Sequence, residues 1–451
     1  MFKKILIANR GEIAVRIIRA AKNMGVGTVA IYSTADKDAL HVQLASQAIC
    51  IGGPLPKQSY LNMENIVSAA LLTGCEAIHP GYGFLAENAK FARLVSQCGL
   101  SFIGPSHEVI DIMGNKAKAR DTMIKHGVPV VPGTGVIKNI EDGLLEAKKI
   151  GFPILIKASA GGGGKGMRIA EDEQSFQQTF EMATSEALSA FGDGSVYLEK
   201  LIINPKHIEF QIIGDIHGNC VHLYERDCSI QRNHQKIIEE APCHSIKKGV
   251  REKMANDVIA ATKAINYVNA GTFEFIMDQD QNYYFIEMNT RIQVEHTISE
   301  MITGIDIIKE QIRVAAGNKL SFTQKDIVPR GYSIECRINA ENPRNKFTPS
   351  AGKIQSLIIP GGFGVRIDTA LYPGFVVPPF YDSMVGKLIV HGKSRIECIK
   401  KMRTALEELM IEGINTNVEL HYAIFHNPNF VKGNFNTGFL EGFLPNFLEK
   451  K

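Results

Sequence analysis

The alternation of apolar and amphipathic segments at the start of the chain constrains its fold most strongly. Short apolar segments that predict strands alternate there with segments of helical periodicity. The predicted strands are 4–8, 28–32, 77–79 and 101–103, and the predicted helices are 13–24, 62–73 and 88–98. Strands and helices that alternate in this way form a parallel sheet with helices on both faces. We therefore predict a doubly wound, Rossmann-like α/β layer at the N-terminus.

The turn after the first predicted strand argues against a dinucleotide-dependent dehydrogenase. Residues 9–12 read Asn-Arg-Gly-Glu and contain a single glycine. The dinucleotide fingerprint needs the pattern Gly-x-Gly-x-x-Gly, because its glycines let the backbone approach the pyrophosphate. The N-terminal layer is thus expected to have the fold without that cofactor.

Residues 271–289 predict a β-hairpin, since two apolar and aromatic runs flank a polar turn. With a four-residue loop, Asp278 pairs with Tyr283. Counting back along the strand then places Glu274 opposite Glu287. Like charges directly opposite each other destabilise a sheet, so we expect a positive group or a cation between them.

The second strand of this hairpin carries a row of polar residues. Side chains alternate between faces in a strand, so every second residue shares a face. The row is Glu287, Asn289, Arg291, Gln293 and Glu295. Carboxylate and amide oxygens suit Mg²⁺ that is also bound by nucleotide phosphates. The alternative is a hairpin with a solvated outer face.

A glycine-rich segment at 159–166 lies between predicted strands at 153–157 and 167–170. It does not match the Walker A pattern, because Lys165 is followed by Gly166 and the segment joins strand to strand. Backbone N–H groups of such a flap can close over phosphates. We interpret it as a phosphate-binding flap, with a flexible hairpin tip as the alternative.

The middle of the chain predicts further strands and an unusual polar segment. Residues 207–213 alternate with polar residues on one side, and residues 225–242 mix charges of both signs with amides and an imidazole. A solvated charge run is the common reading of such a segment, but its composition favours a binding loop. Beyond it we predict helices at 246–267 and 298–317, a β-rich module at 331–392 and a helix at 394–411.

Composition excludes several classes of protein. The 451 residues include 50 Lys and Arg against 47 Asp and Glu, which leaves a formal charge of +3. That balance predicts neither nucleic-acid binding nor membrane attachment. No apolar run approaches the ~20 residues that a membrane helix needs. The eight cysteines contain no Cys-x-x-Cys pair, so we expect reduced thiols in a cytoplasmic protein.

Several separate stretches together carry a family resemblance. They are residues 8–14, 79–87, 161–164, 225–242, 285–296 and 335–341. In this order they resemble biotin carboxylase, an ATP-grasp ligase and component of biotin-dependent carboxylases. The resemblance covers about residues 1–447.

The resemblance implies a fold of mixed α/β and α+β class. Its parts are a Rossmann-like domain at 1–115, an ATP-grasp domain at 116–316 with a mobile lid at about 131–203, and a β-rich C-terminal domain at 331–447. ATP would lie between lid and body.

The resemblance also implies roles for individual residues. ATP is expected to contact Lys116, Lys157, Gly163, Gly164, Glu199, Lys200, Leu201, Ile202, His207, Gln231, His234, Glu274 and Glu287. The metal, Mg²⁺ or Mn²⁺, is expected on Glu274, Glu287 and Asn289. Bicarbonate is expected near Lys236, Arg291, Gln293, Val294, Glu295 and Arg337. The expected catalytic residues are Lys236, Arg291, Glu295 and Arg337, of which Glu295 is the base and Arg337 binds biotin.

The activity implied is the ATP-dependent carboxylation of biotin by bicarbonate through carboxyphosphate, the first half-reaction of acetyl-CoA carboxylase in fatty acid synthesis. The same half-reaction in a pyruvate or other acyl-CoA carboxylase is the alternative. Since no Met-Lys-Met occurs, biotin is expected on a separate carrier protein. Expected partners are that carrier, carboxyltransferase subunits and a second copy of the chain. A nucleotide-binding module without turnover, or an ATP-grasp ligase with another acceptor, also stays open.

Overall fold

The computed structural model describes residues 1–137, 139–159 and 167–449. These residues form two compact units. The larger unit comprises Met1–Val128, Lys206–Phe275 and Glu287–Lys451, and the smaller unit comprises Pro129–Pro205 and Ile276–Ile286. The lid predicted at 131–203 falls within the smaller unit.

The N-terminal part of the larger unit is a five-stranded parallel sheet. Its strands are β1 (Lys4–Ile7), β2 (Gly27–Ser33), β3 (Gln47–Gly52), β4 (Ala77–His79) and β5 (Ser101–Phe102), in the order β3-β2-β1-β4-β5. The helices are α1 (Gly11–Asn23), α2 (Leu40–Leu44), α3 (Met63–Leu72), α4 (Ala89–Gln97), α5 (His107–Gly114) and α6 (Lys116–Lys125). The predicted parallel layer is confirmed, while β3, α2, α5 and α6 were not predicted.

Both faces of this sheet are buried, as its apolar strands require. Ile5 and Ile7 pack with Ile17 of α1 in one cluster. Leu6, between them in sequence, packs with Ile66 of α3 in another. The alternation of side chains along β1 therefore builds two cores, one on each face of the sheet.

The smaller unit is an antiparallel sheet covered by two helices. Its strands are β6 (Gly133–Ile137), β7 (Ile154–Ala158), β8 (Met167–Ala170) and β9 (Val196–Lys200), in the order β6-β9-β7-β8. Its helices are α7 (Ile140–Ile150) and α8 (Glu173–Phe191). The core is formed by Ile154, Ile156, Phe176 and Leu198. Gly163 and Gly164 of the predicted flap lie outside the described residues.

The rest of the chain contains many strands, of which eight form one large sheet. The strands of this part are β10 (Lys206–Gly214), β11 (Cys220–Arg232), β12 (Gln235–Ala241), β13 (Asn269–Met277), β14 (Tyr283–Asn289), β15 (Tyr332–Asn339), β16 (Glu341–Asn342), β17 (Thr348–Pro349), β18 (Gly352–Lys353), β19 (Ser356–Ile358), β20 (Val365–Thr369), β21 (Val376–Val377), β22 (Met384–Gly392) and β23 (Met410–Glu412). The sheet has the order β14-β13-β10-β11-β12-β15-β22-β20.

The helices of this part are α9 (Lys248–Ala264), α10 (His296–Thr303), α11 (Ile307–Ala315), α12 (Arg395–Glu408), α13 (Val418–Phe425), α14 (Pro428–Lys432) and α15 (Phe439–Glu449). The helix predicted at 298–317 is two helices, because Gly304 adopts φ +74° and ends α10. The β-rich module at 331–392 and the helix after it are confirmed. The three helices that follow were not predicted.

The predicted hairpin forms from β13 and β14, but its turn differs. The N–H of Asp278 donates to the carbonyl of Asn282 at 2.9 Å, so Asp278 does not pair with Tyr283. The predicted pairing of Asp278 with Tyr283 is wrong, so counting back from that pair no longer places Glu274 opposite Glu287. The neighbours of these two glutamates are given by the side-chain contacts described below.

Candidate active site

The centre of the candidate site is the ammonium group of Lys236, at the start of β12. Its Nζ donates to Glu274 at 2.8 Å, to Glu295 at 2.7 Å and also to Glu209. An ammonium has three protons to donate, and three carboxylates accept them here. The side chain is 11% exposed, so one ammonium is shared among three largely buried carboxylates.

Glu274 on β13 has more donors than this lysine. The side-chain amides of Asn289 and Gln293 each donate to its Oε1 at 2.6 Å. Nε2 of His207, on β10, lies 2.8 Å from its Oε2. Burial opposes ionisation of Glu274, but the charges of Lys236 and His207 outweigh it and hold its pKa well below the ordinary value. Glu274 is thus an ionised carboxylate in a buried setting.

Glu295 directly precedes α10 and lies between two cations. It accepts from Lys236 at 2.7 Å and from Nη2 of Arg337, on β15, at 2.9 Å. Burial raises its pKa, but the charges of Lys236 and Arg337 lower it by more, and the pKa lies well below the ordinary value. The structure thus brings together three residues that the sequence analysis placed near bicarbonate.

Arg337 is held on its other edge by Glu239 of β12. Its Nε donates to Glu239 Oε1 at 2.5 Å. Glu239 lies directly opposite Glu335 in the β12–β15 ladder. Burial raises the pKa of Glu239 to about 7, against the lowering effect of Arg337. Burial likewise raises the pKa of Glu335 well above its ordinary value, and repulsion by Glu239 adds to this.

The sequence analysis missed two members of this network, Glu209 and Arg226. They lie opposite each other in the β10–β11 ladder, and Arg226 Nε donates to Glu209 at 2.5 Å. Arg226 also donates to Gln293 Oε1 at 2.6 Å. The signal was present, since the predicted strand at 207–213 has one polar face, and a polar face in a buried strand indicates a buried network.

The remaining residues of the expected bicarbonate and metal sets also lie in the larger unit. Arg291 donates to Glu87 at 2.8 Å and to Asn289 Oδ1 at 2.9 Å. Lys116 Nζ lies 3.5 Å from Glu287, whose side chain is 43% exposed. The cations expected near the two hairpin glutamates are therefore different lysines, Lys236 for Glu274 and Lys116 for Glu287.

Two further residues expected at the nucleotide lie near the β11–β12 turn. Gln231 is buried, and its amide donates to the carbonyl of Cys228 at 2.8 Å. His234 is exposed in the turn with φ +63°. Neither side chain is part of the network around Lys236 as the structure describes it.

In the smaller unit, Lys157 of β7 forms an ion pair with Glu199 of β9. Lys200 Nζ donates to the carbonyls of Gly151 and Phe152 at 2.7 and 2.9 Å. The N–H of Leu201 donates to the carbonyl of Pro153 at 3.2 Å, and Ile202 is half-buried. Their roles toward ATP stay predictions.

Metal-binding geometry is most evident around Glu209. Two clusters among the described residues bring potential ligand atoms together, and they consist of His207, Glu209 and Glu274, and of Glu209, Cys228 and Glu295. The ammonium of Lys236 contacts all three of their glutamates. Because that ammonium already occupies an oxygen of each glutamate, neither cluster is a better candidate for Mg²⁺ than the partly exposed Glu287 side.

Comparison with known proteins supplies the identity of the family. Residues 1–110 match the family "Biotin carboxylase, N-terminal domain", 335–442 match "Biotin carboxylase C-terminal domain", and 115–323 match "Carbamoyl-phosphate synthase L chain, ATP binding domain". "Biotin carboxylase 1" of Bacillus subtilis is 54% identical over 443 residues, 98% of each chain. This chain belongs to the biotin carboxylase family.

Solved structures of biotin carboxylases have the same fold. One is the biotin carboxylase domain dimer of Hydrogenobacter thermophilus 2-oxoglutarate carboxylase, in complex with MgADP, ADP and bicarbonate. It is 51% identical with a TM-score of 0.92, and the match covers 100% of this chain and 99% of that one. The biotin carboxylase subunit of a pyruvate carboxylase is 52% identical with a TM-score of 0.90, over 100% of both chains. The predicted family and fold class are confirmed.

Among residues 1–137, 139–159 and 167–449, no helix combines the length and the apolar character needed to cross a bilayer.

Proposed function

We propose that this chain catalyses the ATP-dependent carboxylation of biotin on a separate carrier protein, with bicarbonate as the carboxyl donor. The single observation that carries the proposal is the position of Glu295. It is a buried, ionised carboxylate in contact with both Lys236 and Arg337. Such a group is in the ionised form that a general base needs, and the cations on either side of it attract anions.

Bicarbonate is proposed to bind beside Lys236, Arg291, Gln293, Val294, Glu295 and Arg337. Of these, Lys236 and Arg337 supply positive charge in a buried setting, where an anion is attracted far more strongly than in water. Arg291 supplies a further guanidinium fixed by Glu87. Activation proceeds by attack of a bicarbonate oxygen on the γ-phosphate, which gives carboxyphosphate and ADP. The work of the residues is positioning and charge neutralisation.

The oxygen donors of Glu274, Glu287 and Asn289 fit Mg²⁺ or Mn²⁺, since hard cations prefer carboxylate and amide oxygens. Glu274 is held ionised, and Glu287 is partly exposed and so accessible to a nucleotide-bound ion. A bound Mg²⁺ would neutralise phosphate charge. Lys116, His207, Gln231 and His234 are proposed to contact the nucleotide from the larger unit. The contributions expected of Lys157, Gly163, Gly164, Glu199, Lys200, Leu201 and Ile202 rest on the resemblance.

Arg337 is proposed to act later in the reaction, on biotin. Carboxyphosphate breaks down to carbon dioxide and phosphate. The ureido N–H of biotin loses its proton to this phosphate, and the nitrogen of the resulting enolate attacks carbon dioxide. Burial opposes the charge of Arg337, but Glu239 and Glu295 outweigh it and raise its pKa. A permanently cationic, planar guanidinium suits the stabilisation of an enolate oxygen.

The carboxylase that uses the carboxybiotin is proposed to be acetyl-CoA carboxylase in fatty acid synthesis. A two-subunit pyruvate carboxylase or another acyl-CoA carboxylase is the alternative. The similarity to subunits of pyruvate and 2-oxoglutarate carboxylases supports this alternative. We further propose that the chain is a cytoplasmic homodimer that works with carrier and carboxyltransferase subunits. The dimer of the Hydrogenobacter domain supports the homodimer.

The decisive experiment measures phosphate and carboxybiotin in one reaction of the full chain with ATP, Mg²⁺, bicarbonate and biotinylated carrier. Both products are expected to require bicarbonate, and a carrier whose biotin-bearing lysine is replaced should give no carboxybiotin. ATP binding without bicarbonate-dependent phosphate release would instead identify a nucleotide-binding module. Release of phosphate with ammonia or an aminoimidazole ribotide as acceptor, but not with biotin, would identify a different ATP-grasp ligase.

A further inference from the structure

Lys387, on β22, is a buried cation that the proposed chemistry does not use. Its side chain is 0% exposed. Its Nζ donates to the backbone carbonyl of Val294 at 2.8 Å and lies 3.2 Å from Oε1 of Glu12, on α1. A lysine of the C-terminal part thus contacts the segment expected to bind bicarbonate and a glutamate of the N-terminal layer.

The surroundings of Lys387 do not make it a simple stabilising ion pair. It lies directly opposite Arg337 in the β15–β22 ladder and opposite Asp368 in the β20–β22 ladder. Asp368 is already paired with Arg366, at 2.6 Å. Like charges opposite each other destabilise a sheet, and a buried ammonium loses its hydration. The ammonium also counters the negative charge of Glu12, Glu335 and Asp368. In addition it makes one hydrogen bond to the backbone that an apolar side chain could not make.

That contact is the Val294 carbonyl. The peptide that carries this carbonyl also carries the N–H of Glu295, and a peptide unit is planar. Holding the carbonyl therefore fixes the backbone from which the Glu295 side chain projects. The segment between the end of β14 at Asn289 and the start of α10 at His296 belongs to neither element, so its course depends on such anchors.

The other anchors of this segment are at its two ends. The N–H of Thr290 donates to Glu87 at 3.1 Å, and the carbonyl of Gln293 accepts from Nδ1 of His296 at 2.7 Å. The carbonyl of Glu295 accepts from the N–H of Ile298 at 3.3 Å, and Lys387 holds the preceding carbonyl, that of Val294. Glu12 holds the ammonium from the far side, and its own Oε1 also accepts from Tyr82.

We infer that Lys387 is a positioning residue for bicarbonate activation, because its ammonium fixes the Val294–Glu295 peptide. Lys387 does not touch the reactants. It sets the direction of Glu295 toward Lys236 and Arg337. The inference rests on the proposed function, since it assigns a support to the bicarbonate-binding segment.

The test compares Lys387→Met with the double variant Glu12→Gln/Lys387→Met, in which no buried charge of the pair is left alone. A misplaced reacting group costs up to about 10²-fold in rate, so bicarbonate-dependent phosphate release should fall about 10- to 100-fold in both variants. The KM for bicarbonate should rise about 10-fold, as for loss of a charged hydrogen bond, while the KM for ATP changes by less than about 2-fold. Lys4→Met is the matched control, because Lys4 Nζ also donates to a backbone carbonyl, that of Thr73, at 2.8 Å.

The outcomes separate a positioning role from a structural one. Circular dichroism and thermal melting first establish that each variant is folded. If Lys387→Met alone does not fold, the double variant is used for the kinetic test. A folded double variant with the wild-type KM for bicarbonate and turnover overturns the inference. Equal increases of the KM for ATP and for bicarbonate also overturn it, because a general structural defect predicts that result. If the wild-type chain shows no bicarbonate-dependent phosphate release, the proposed function fails, independently of the variants.

Discussion

Two pairs of almost equally buried carboxylates in the larger unit have pKa values shifted in opposite directions. Glu274 and Glu295 have pKa values well below the ordinary range. Glu239 and Glu335, on β12 and β15, have raised pKa values. All four side chains are within 4% of complete burial, so burial alone does not explain the difference.

The difference lies in how cations are distributed. Glu295 has two cations in direct contact, Lys236 and Arg337. Glu239 shares its single guanidinium with Glu295 and faces Glu335 across the ladder. Burial favours the protonated carboxyl, and only direct contact with enough positive charge reverses this. The comparison teaches that the acid–base character of each carboxylate is set by its cation contacts.

Removing the shared cation should have the largest effect on this contrast. In Lys236→Met, Glu209, Glu274 and Glu295 lose their common partner, and the pKa values of Glu274 and Glu295 should rise toward those of the second group. Leaving buried charges unpaired costs about 3–5 kcal/mol, and bicarbonate-dependent phosphate release should be undetectable. Thermal melting and phosphate assays measure the two effects.

Lys206→Met is the control for this variant, because Lys206 forms a comparable ion pair with buried Asp227 at 2.8 Å. It should lower stability while keeping the bicarbonate dependence of phosphate release. A Lys236→Met protein that cleaves ATP in response to bicarbonate would contradict the assignment of Lys236.

The next largest effect should come from separating the two partners Glu295 and Arg337. Glu295→Gln should slow bicarbonate-dependent ATP cleavage about 10²–10⁴-fold if Glu295 is the base. Arg337→Ala should slow carboxybiotin formation more than phosphate release, because the guanidinium acts on the biotin enolate. Both products are measured in the same reaction. Since Arg337 also contacts Glu295, the double variant should lose less than the sum of the two single effects. Uncoupling in Glu295→Gln but not in Arg337→Ala would reverse the two roles.

Sequence reasoning found the first group of carboxylates and missed the second for a physical reason. Glu274 was found through the predicted hairpin and Glu295 through the polar row that continues from β14. The strand ends at Asn289, so the predicted extended row does not hold up to Glu295, which reaches the site from the segment before α10. Glu239 and Glu335 are neighbours only because β12 pairs with β15. β12 ends at Ala241 and β15 begins only at Tyr332, a sequence distance that no local pattern spans. The same holds for Lys387, whose contact with Val294 spans 93 positions.

The same limit applies to the fold, because patterns among neighbouring residues can be predicted while distant pairings and single backbone positions cannot. The parallel layer was predicted because burial on both faces gives continuous apolar strands, as in β1. The edge strand β3 was missed because it is only partly buried and so lacks that pattern. The hairpin was predicted but its turn was not, because the bond from Asp278 to Asn282 depends on backbone geometry at one position.

A smaller effect should distinguish the two hairpin glutamates. Glu274 is buried and shared with Lys236, whereas Glu287 is partly exposed beside Lys116. Glu274→Gln should therefore lower the melting temperature, while Glu287→Gln should leave it unchanged. Both should raise the Mg²⁺ concentration needed for half-maximal ATP cleavage by at least about 10-fold, the loss typical of altered metal surroundings. Titration of Mg²⁺ at fixed ATP gives the measurement. A normal Mg²⁺ requirement in Glu287→Gln would remove that residue from the metal set.

The smallest effect, and the most direct test of the comparison, is the pH dependence of stability. Burial raises the pKa of Glu239 from the ordinary 4.5 to about 7. The native state therefore binds this proton more tightly than the unfolded chain does. The stability that results is fully present below pH 4.5 and is lost as the pH rises through about 7. For Glu295 the sign is opposite, because its lowered pKa gives stability above pH 4.5 that is lost in acid. Compared with wild type, Glu239→Gln should lose less melting temperature between pH 4.5 and 8, whereas Glu295→Gln should be destabilised at pH 8 and approach wild type in acid. Melting curves of the three proteins from well below pH 4.5 up to pH 8 measure both slopes. Parallel curves for the two variants would show that the two groups of carboxylates do not differ in protonation.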